Sequence, residues 1–168
     1  HEIERILAEL SESVRFEAET ILDDLHILKK LDFIFARAGF AKSYTGSRPL
    51  FNTEHRIQIK QARHPLLDSK KVIPIDISLG TDFHVLLITG PNTGGKTVSM
   101  KIIGLFTLMT YCGMPIPCKE AVIPFFDRVF VDIGDEQSVE SSLSSFSSHM
   151  KKQAEVCQYA TKDSLVLL

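Results

Sequence analysis

The sequence predicts an α/β domain, a mixed and at least partly parallel sheet flanked by helices, preceded by a long helical segment. Three observations carry that expectation. Residues 1–38 contain no Gly or Pro and repeat apolar residues at helical spacing. Short alternating or wholly apolar runs then alternate with stretches of helical periodicity. One of the apolar runs passes directly into a glycine-rich loop and a helix.

In the helical segment Leu7, Val14, Ile21, Leu28 and Phe35 recur every seven positions, with Ile3, Leu10, Leu25 and Leu31 in the neighbouring row. Glu2, Glu4, Glu9, Glu12, Glu17, Glu19, Asp23 and Asp24 crowd the other face. This is one long amphipathic helix, or two with a break. Its apolar stripe packs on a core or on a partner helix, and its acidic face is solvated. Gly39 ends the pattern, residues 43–53 (SYTGSRPLFNT) read as turns, and the domain boundary is placed after residue 42.

Residues 56–62 (RIQIKQA) and 72–79 (VIPIDISL) alternate apolar with polar, as half-buried antiparallel strands do. Residues 83–89 (FHVLLIT) are a buried-strand run, followed by a loop and by helical spacing over 98–111. One or two strands are expected within 121–133, a helix over the serine-rich 138–160, and a last strand at 165–168.

Composition narrows the function. The chain has 168 residues, 44% hydrophobic and 24% charged, enough for a core without staples. With 19 Lys and Arg against 21 Asp and Glu, the net charge of -2 offers no bulk attraction to nucleic acid or an anionic membrane. Cys112, Cys118 and Cys157 are an odd, widely spaced set that argues against disulfides and zinc and for a reducing, cytoplasmic setting. No apolar stretch reaches the roughly 18 residues of a membrane span. A start at His1 and a stop inside the apolar SLVLL suggest a piece of a longer protein.

Residues 90–97 read GPNTGGKT and match GxxxxGK[ST] at every fixed position. Glycines let the backbone curl so that successive N–H groups face phosphate oxygens, and the helix that follows adds its positive end. Gly90, Pro91, Asn92, Thr93, Gly94, Gly95 and Val98 therefore form the nucleotide cradle. Lys96 is the cation for the terminal phosphates, and the Thr97 hydroxyl is the magnesium ligand. The pattern specifies a nucleoside triphosphate with Mg²⁺, not the base or the reaction. A magnesium-site carboxylate is expected just after residues 164–168; Asp132, Asp135 and Glu136 are the weaker alternative.

The chain resembles the ATPase domain of the MutS family, and its wording is nearer the second bacterial branch than the mismatch-repair branch. The resemblance lies in LLITGPNTGGKTV (86–98), ARHPLL (62–67), VFVDIGDEQSVESSLSSFSSHM (129–150) and DSLVLL (163–168). It implies an ABC-like fold of P-loop NTPase type over 43–168 and a lever segment over 1–42. It also implies ATP as the nucleotide and a homodimer in which Ser144 and Ser145 of one copy face the nucleotide of the other.

The same resemblance places Val72 and Ile73 against adenine and gives Asp135, Glu136 and Gln137 a coupling role or a plain surface turn. For the whole protein it implies an ATP-driven clamp on branched DNA or on collided ribosomes through rRNA, with an Smr-type nuclease domain elsewhere. His64, before Pro65, is expected to be structural, whereas His149 is a candidate for approaching phosphate. Two other readings stay open: a nucleotide-binding dimerisation module without turnover, and a small P-loop kinase or GTPase.

Overall fold

In the computed structural model the described residues are 1–168 except 69, 92, 93 and 134–141, with 142–146 described by backbone alone. The chain divides into two units, His1–Phe40 and Ala41–Leu168.

The first unit is helical. Helix α1 spans Glu2–Phe16 and α2 spans Ala18–Ser43, with the break at Glu17. There the Glu17 N–H bonds the Val14 carbonyl, tightening the last turn of α1. Ion pairs three or four residues apart run along α1, from Arg5 to Glu2 and Glu9 and from Arg15 to Glu12. Neither helix buries a residue. Ile3, Leu7, Leu10 and Val14 are all more than half exposed, so the stripe expected to be packed lies open in this chain.

Gly39 does not stop the helix, contrary to the sequence expectation. Glycine within a helix costs only about 1 kcal/mol, and α2 continues to Ser43. The stop comes at Thr45, which takes the left-handed φ of 56°, while the Gly46 N–H closes back on the Ala41 carbonyl at 2.9 Å.

Beyond it, β1 (Leu50–Asn52), β2 (Ile57–Ala62), β3 (Ile75–Leu79) and β4 (Glu120–Pro124) form one sheet in the order β1-β4-β2-β3. The β2–β3 pair is antiparallel, as its alternation predicts. The β1–β4 pair is parallel, and β1 lies within the stretch read as turns. A second sheet pairs β5 (Val129–Val131) with β6 (Leu165–Leu167) in parallel. Helix α3 spans Lys96–Tyr111 and α4 spans Ser142–Tyr159.

The core centres on α3. Ile102, Ile103, Phe106 and Met109 share one buried cluster with Ile57, Ile59, Ala62, Ala121 and Ile123 of the larger sheet and with Leu165 and Leu167 of β6. A Cβ on Gly104 would stand 2.9 Å from a Leu167 methyl, so the absence of a side chain there permits the close α3–β6 approach. The Tyr111 hydroxyl, at the far end of α3, donates to the Pro124 carbonyl at 3.1 Å and accepts from the Phe126 N–H at 2.6 Å, fixing the exit of β4.

Residues 83–89 are a correction to the sequence reading. They form no strand, and Val85 and Leu87 are each 82% exposed. An apolar run becomes a strand only when a neighbour completes its hydrogen-bond ladder. Among the described residues no strand pairs with this one.

Two substitutions test this description by urea denaturation. Tyr111→Phe leaves the Phe126 N–H without its acceptor and is expected to cost about 1–3 kcal/mol. Gly39→Ala, in an exposed helix interior with open space around the new methyl, is expected to stabilise α2 by about 0.5–1 kcal/mol.

Candidate nucleotide-binding site

The loop between residues 89 and 96 takes its shape from two backbone positions. Gly90 has φ 144° and Gly95, the residue ahead of α3, has φ 76°. A Cβ on either would meet nothing within 4 Å. Glycine is thus required there by conformation rather than by crowding.

Inside the loop the Gly94 N–H donates to the Pro91 carbonyl at 2.9 Å. Helix α3 then opens with the Ser99 N–H and hydroxyl both on the Gly95 carbonyl, at 2.9 and 3.0 Å. Its N-cap is Gly95, which has no side chain to cap the helix with. The first N–H groups of a helix have no acceptor within it, and the dipole adds positive potential, so a helix end behind a glycine loop suits an anion.

The Lys96 ammonium folds back across the loop and donates to the Gly90 carbonyl. One cation therefore joins the loop's first residue to the first residue of α3. Thr97 and Val98 follow in the first helical turn, each half-buried. Asn92 and Thr93, the remaining cradle residues, lie outside the described residues. This arrangement fits a polyphosphate: a helix end behind a glycine loop and an ammonium at that loop, with open space around Gly90 and Gly95.

Residues 86–168 match the family model described as MutS domain V. The chain is 54% identical over 167 residues, 99% of its length, to the endonuclease MutS2 of Agathobacter rectalis. It is 53% identical to that of Caldanaerobacter subterraneus and 48% identical to that of Bacillus cytotoxicus, again over 99% of its length. The chain belongs to the MutS family. It spans 21% of the length of these relatives.

The other residues singled out in this MutS-family chain are placed as follows. Val72, half-buried, and Ile73, 81% exposed, lie in the turn leading to β3, where the Val72 N–H bonds the Asp68 carbonyl at 2.9 Å. Ser144 and Ser145 stand in the first turn of α4. Asp135, Glu136 and Gln137 lie outside the described residues. The Nδ1 of His64 accepts from the Leu66 N–H at 3.3 Å, a backbone hydrogen bond of the kind expected for it. Burial, helped by the Lys101 charge, pushes its pKa below the usual histidine value.

His149, the candidate for approaching phosphate, contacts Asp132 in this structure. Its Nδ1 lies 2.7 Å from Oδ2 of Asp132, whose other oxygen is 3.2 Å from the Lys152 ammonium. Asp132, weighed above as a substitute magnesium carboxylate, is thus engaged through both oxygens. The His149 hydrogen bond, then Lys152, holds its carboxyl below the ordinary value of 3.8, although burial pulls the other way. Sequence reasoning missed this cluster. The available signal was the three-residue spacing of His149 and Lys152, which sets both on one helix face. Among the described residues no group of three His, Cys, Asp or Glu side chains is arranged to hold a metal, and no helix is long and apolar enough to cross a membrane.

The lowered Asp132 value has a pH consequence. A carboxyl whose folded pKa is depressed adds stability that is complete above its unfolded value and is lost as pH falls through the folded one. Asp132→Asn is therefore expected to be less stable than wild type near neutrality. The gap should narrow as pH falls below the ordinary carboxylate value of 3.8, read from urea midpoints at neutral and at acid pH. A gap that stays constant with pH would contradict the assignment.

Proposed function

We propose that this chain is the nucleotide-binding part of a dimeric, ABC-like ATPase of the MutS family. In this reading residues 1–42 are a lever segment and 43–168 a P-loop ATPase domain. The carrying observation is the loop itself, with left-handed glycine geometry, a glycine at the N-cap of α3 and the Lys96 ammonium on the Gly90 carbonyl.

The backbone of 90–98 wraps the phosphates of ATP, Lys96 exchanges the Gly90 carbonyl for the terminal phosphates, and Val72 and Ile73 supply apolar contact to the adenine. Thr97 would hold Mg²⁺, which supplies charge neutralisation at the phosphates when bound. The catalytic work assigned to this chain is positioning and electrostatic stabilisation by Lys96 and Thr97.

Ser144 and Ser145 at the head of α4 face the nucleotide of a second copy. A hydroxyl and a helix end favour the extra anionic group of ATP over ADP, so closure of the homodimer follows the nucleotide state. The relatives' name, endonuclease MutS2, supports a clamp that acts on nucleic acid. We assign branched DNA as its substrate, with ribosomal RNA as the second reading that the family resemblance carries. With a net charge of -2, this chain contributes the motor more than the nucleic-acid surface. The cytoplasm is the compartment in which such a clamp works.

Two measurements test the proposal. Titration of ATP, ADP and GTP with magnesium into folded protein is expected to show ATP preferred over GTP. Lys96→Ala should lose roughly 10- to 100-fold in affinity without change in circular dichroism. Retained affinity would remove Lys96 from its role. In full-length protein, Ser144→Ala should spare nucleotide binding but weaken ATP-dependent closure seen by X-ray scattering; unchanged closure would sink the signature assignment.

A further inference from the structure

Helix α4 is tied to the β5–β6 pair at two places. Near its C-terminus the Arg128 guanidinium donates to the Tyr159 carbonyl at 3.3 Å and lies over the Tyr159 ring, 5.7 Å from its centroid. Ten residues earlier His149, with Lys152 one turn on, grips Asp132. Arg128 and Asp132 flank β5 on either side, so the helix is tied to the strand at its C-terminal end and near its middle.

The two pins differ in kind. The Arg128 pin is an exposed contact to a helix end. The Asp132 carboxylate is 4% exposed, is shared between the His149 ring and the Lys152 ammonium, and belongs to a residue whose own N–H is bonded to the Leu167 carbonyl of β6 at 2.8 Å. One residue therefore joins the end of β5, the end of β6 and the N-terminal half of α4. Buried ion pairs are weak sources of stability compared with apolar packing, but they hold one arrangement against near alternatives because each misplacement strands a charge.

The place of this joint matters. His149 stands only one turn after Ser144 and Ser145, and at 1.5 Å per residue the helix extends about 10 Å from His149 to its start. The His149–Asp132 bond, seven residues in from that start, is one point at which the helix is held. We infer that Asp132 is a positioning residue for the signature turn: through His149 and Lys152 it holds the head of α4 in register with the ends of β5 and β6. The presentation of Ser144 and Ser145 to a second copy would then depend on that buried carboxylate. The inference rests on the reading of Ser144 and Ser145 as the turn that meets the partner's nucleotide.

The test is a double-mutant cycle in full-length protein with Asp132→Asn and His149→Gln, read by ATP turnover, by affinity for a fluorescent ATP analogue and by scattering, with Ser144→Ala alongside. Each single variant is expected to lower kcat and ATP-dependent closure roughly five- to tenfold while nucleotide affinity stays within about twofold. The double variant should be no worse than the worse single, because both remove one joint. Unchanged kcat in His149→Gln, a parallel loss of nucleotide affinity, or single effects that multiply would each overturn the role. If Asp132→Asn fails to fold, His149→Gln, on a side chain 29% exposed, decides alone. If Ser144→Ala leaves closure unchanged, the signature reading has failed and this inference with it. If Ser144→Ala abolishes closure and His149→Gln does not, the positioning role alone is wrong.

Discussion

The burial of one face of α3 is the interaction on which residues 41–168 depend. Phe106 is wholly buried, and Ile102, Ile103 and Met109 join it in a core shared by both sheets. Full burial of side chains of this size is worth about 1.5–3 kcal/mol each in transfer terms, so the helix serves as the strut that the sheets are packed upon. Its other role follows from the same fixation. A helix held firmly along its length presents its first turn at a defined place, and that first turn carries Lys96 and Thr97. Packing at one end of α3 thus makes electrostatics at the other end usable.

The loop ahead of α3 exploits what a helix start lacks. Its leading donors have no acceptor within the helix. Ser, Thr, Asp or Asn are the usual residues to satisfy this end; here the N-cap is Gly95, with a left-handed backbone and no side chain to offer. In the proposed function an anion would supply stabilisation at this end. The folding of the Lys96 ammonium onto the Gly90 carbonyl keeps the loop's cation within the loop.

Much of this was legible in residue order, and the failures have physical causes. The GPNTGGKT pattern carries its own geometry, because its glycines and its lysine act through the local backbone. The β2–β3 pair was visible from alternation, and β6 from its apolar run. What local sequence cannot carry is who pairs with whom. Residues 83–89 have every local mark of a strand yet gain no ladder among the described residues, whereas β1, hidden in a turn-like stretch, becomes a strand because β4 lies beside it. Gly39 misled because a single glycine weakens a helix without ending it, and the true stop lies in the backbone of Thr45. The Asp132 cluster was invisible because its partners lie 17 and 20 residues away in sequence and meet only when α4 lies along β5. The family resemblance pointed to the head of α4; the contacts of His149 and Lys152 with Asp132 emerge only in three dimensions.

The most direct test of the account's central claim, that the open start of α3 and its glycine loop form the polyphosphate site, is residue-resolved amide NMR of the folded chain as magnesium and ATP are added. The account predicts that the largest shifts fall on the N–H groups of Gly94, Gly95, Lys96, Thr97 and Val98, and that Lys96→Ala suppresses them while its spectrum stays folded. Shifts centred elsewhere, or a folded protein whose loop amides do not move at saturating nucleotide, would contradict it.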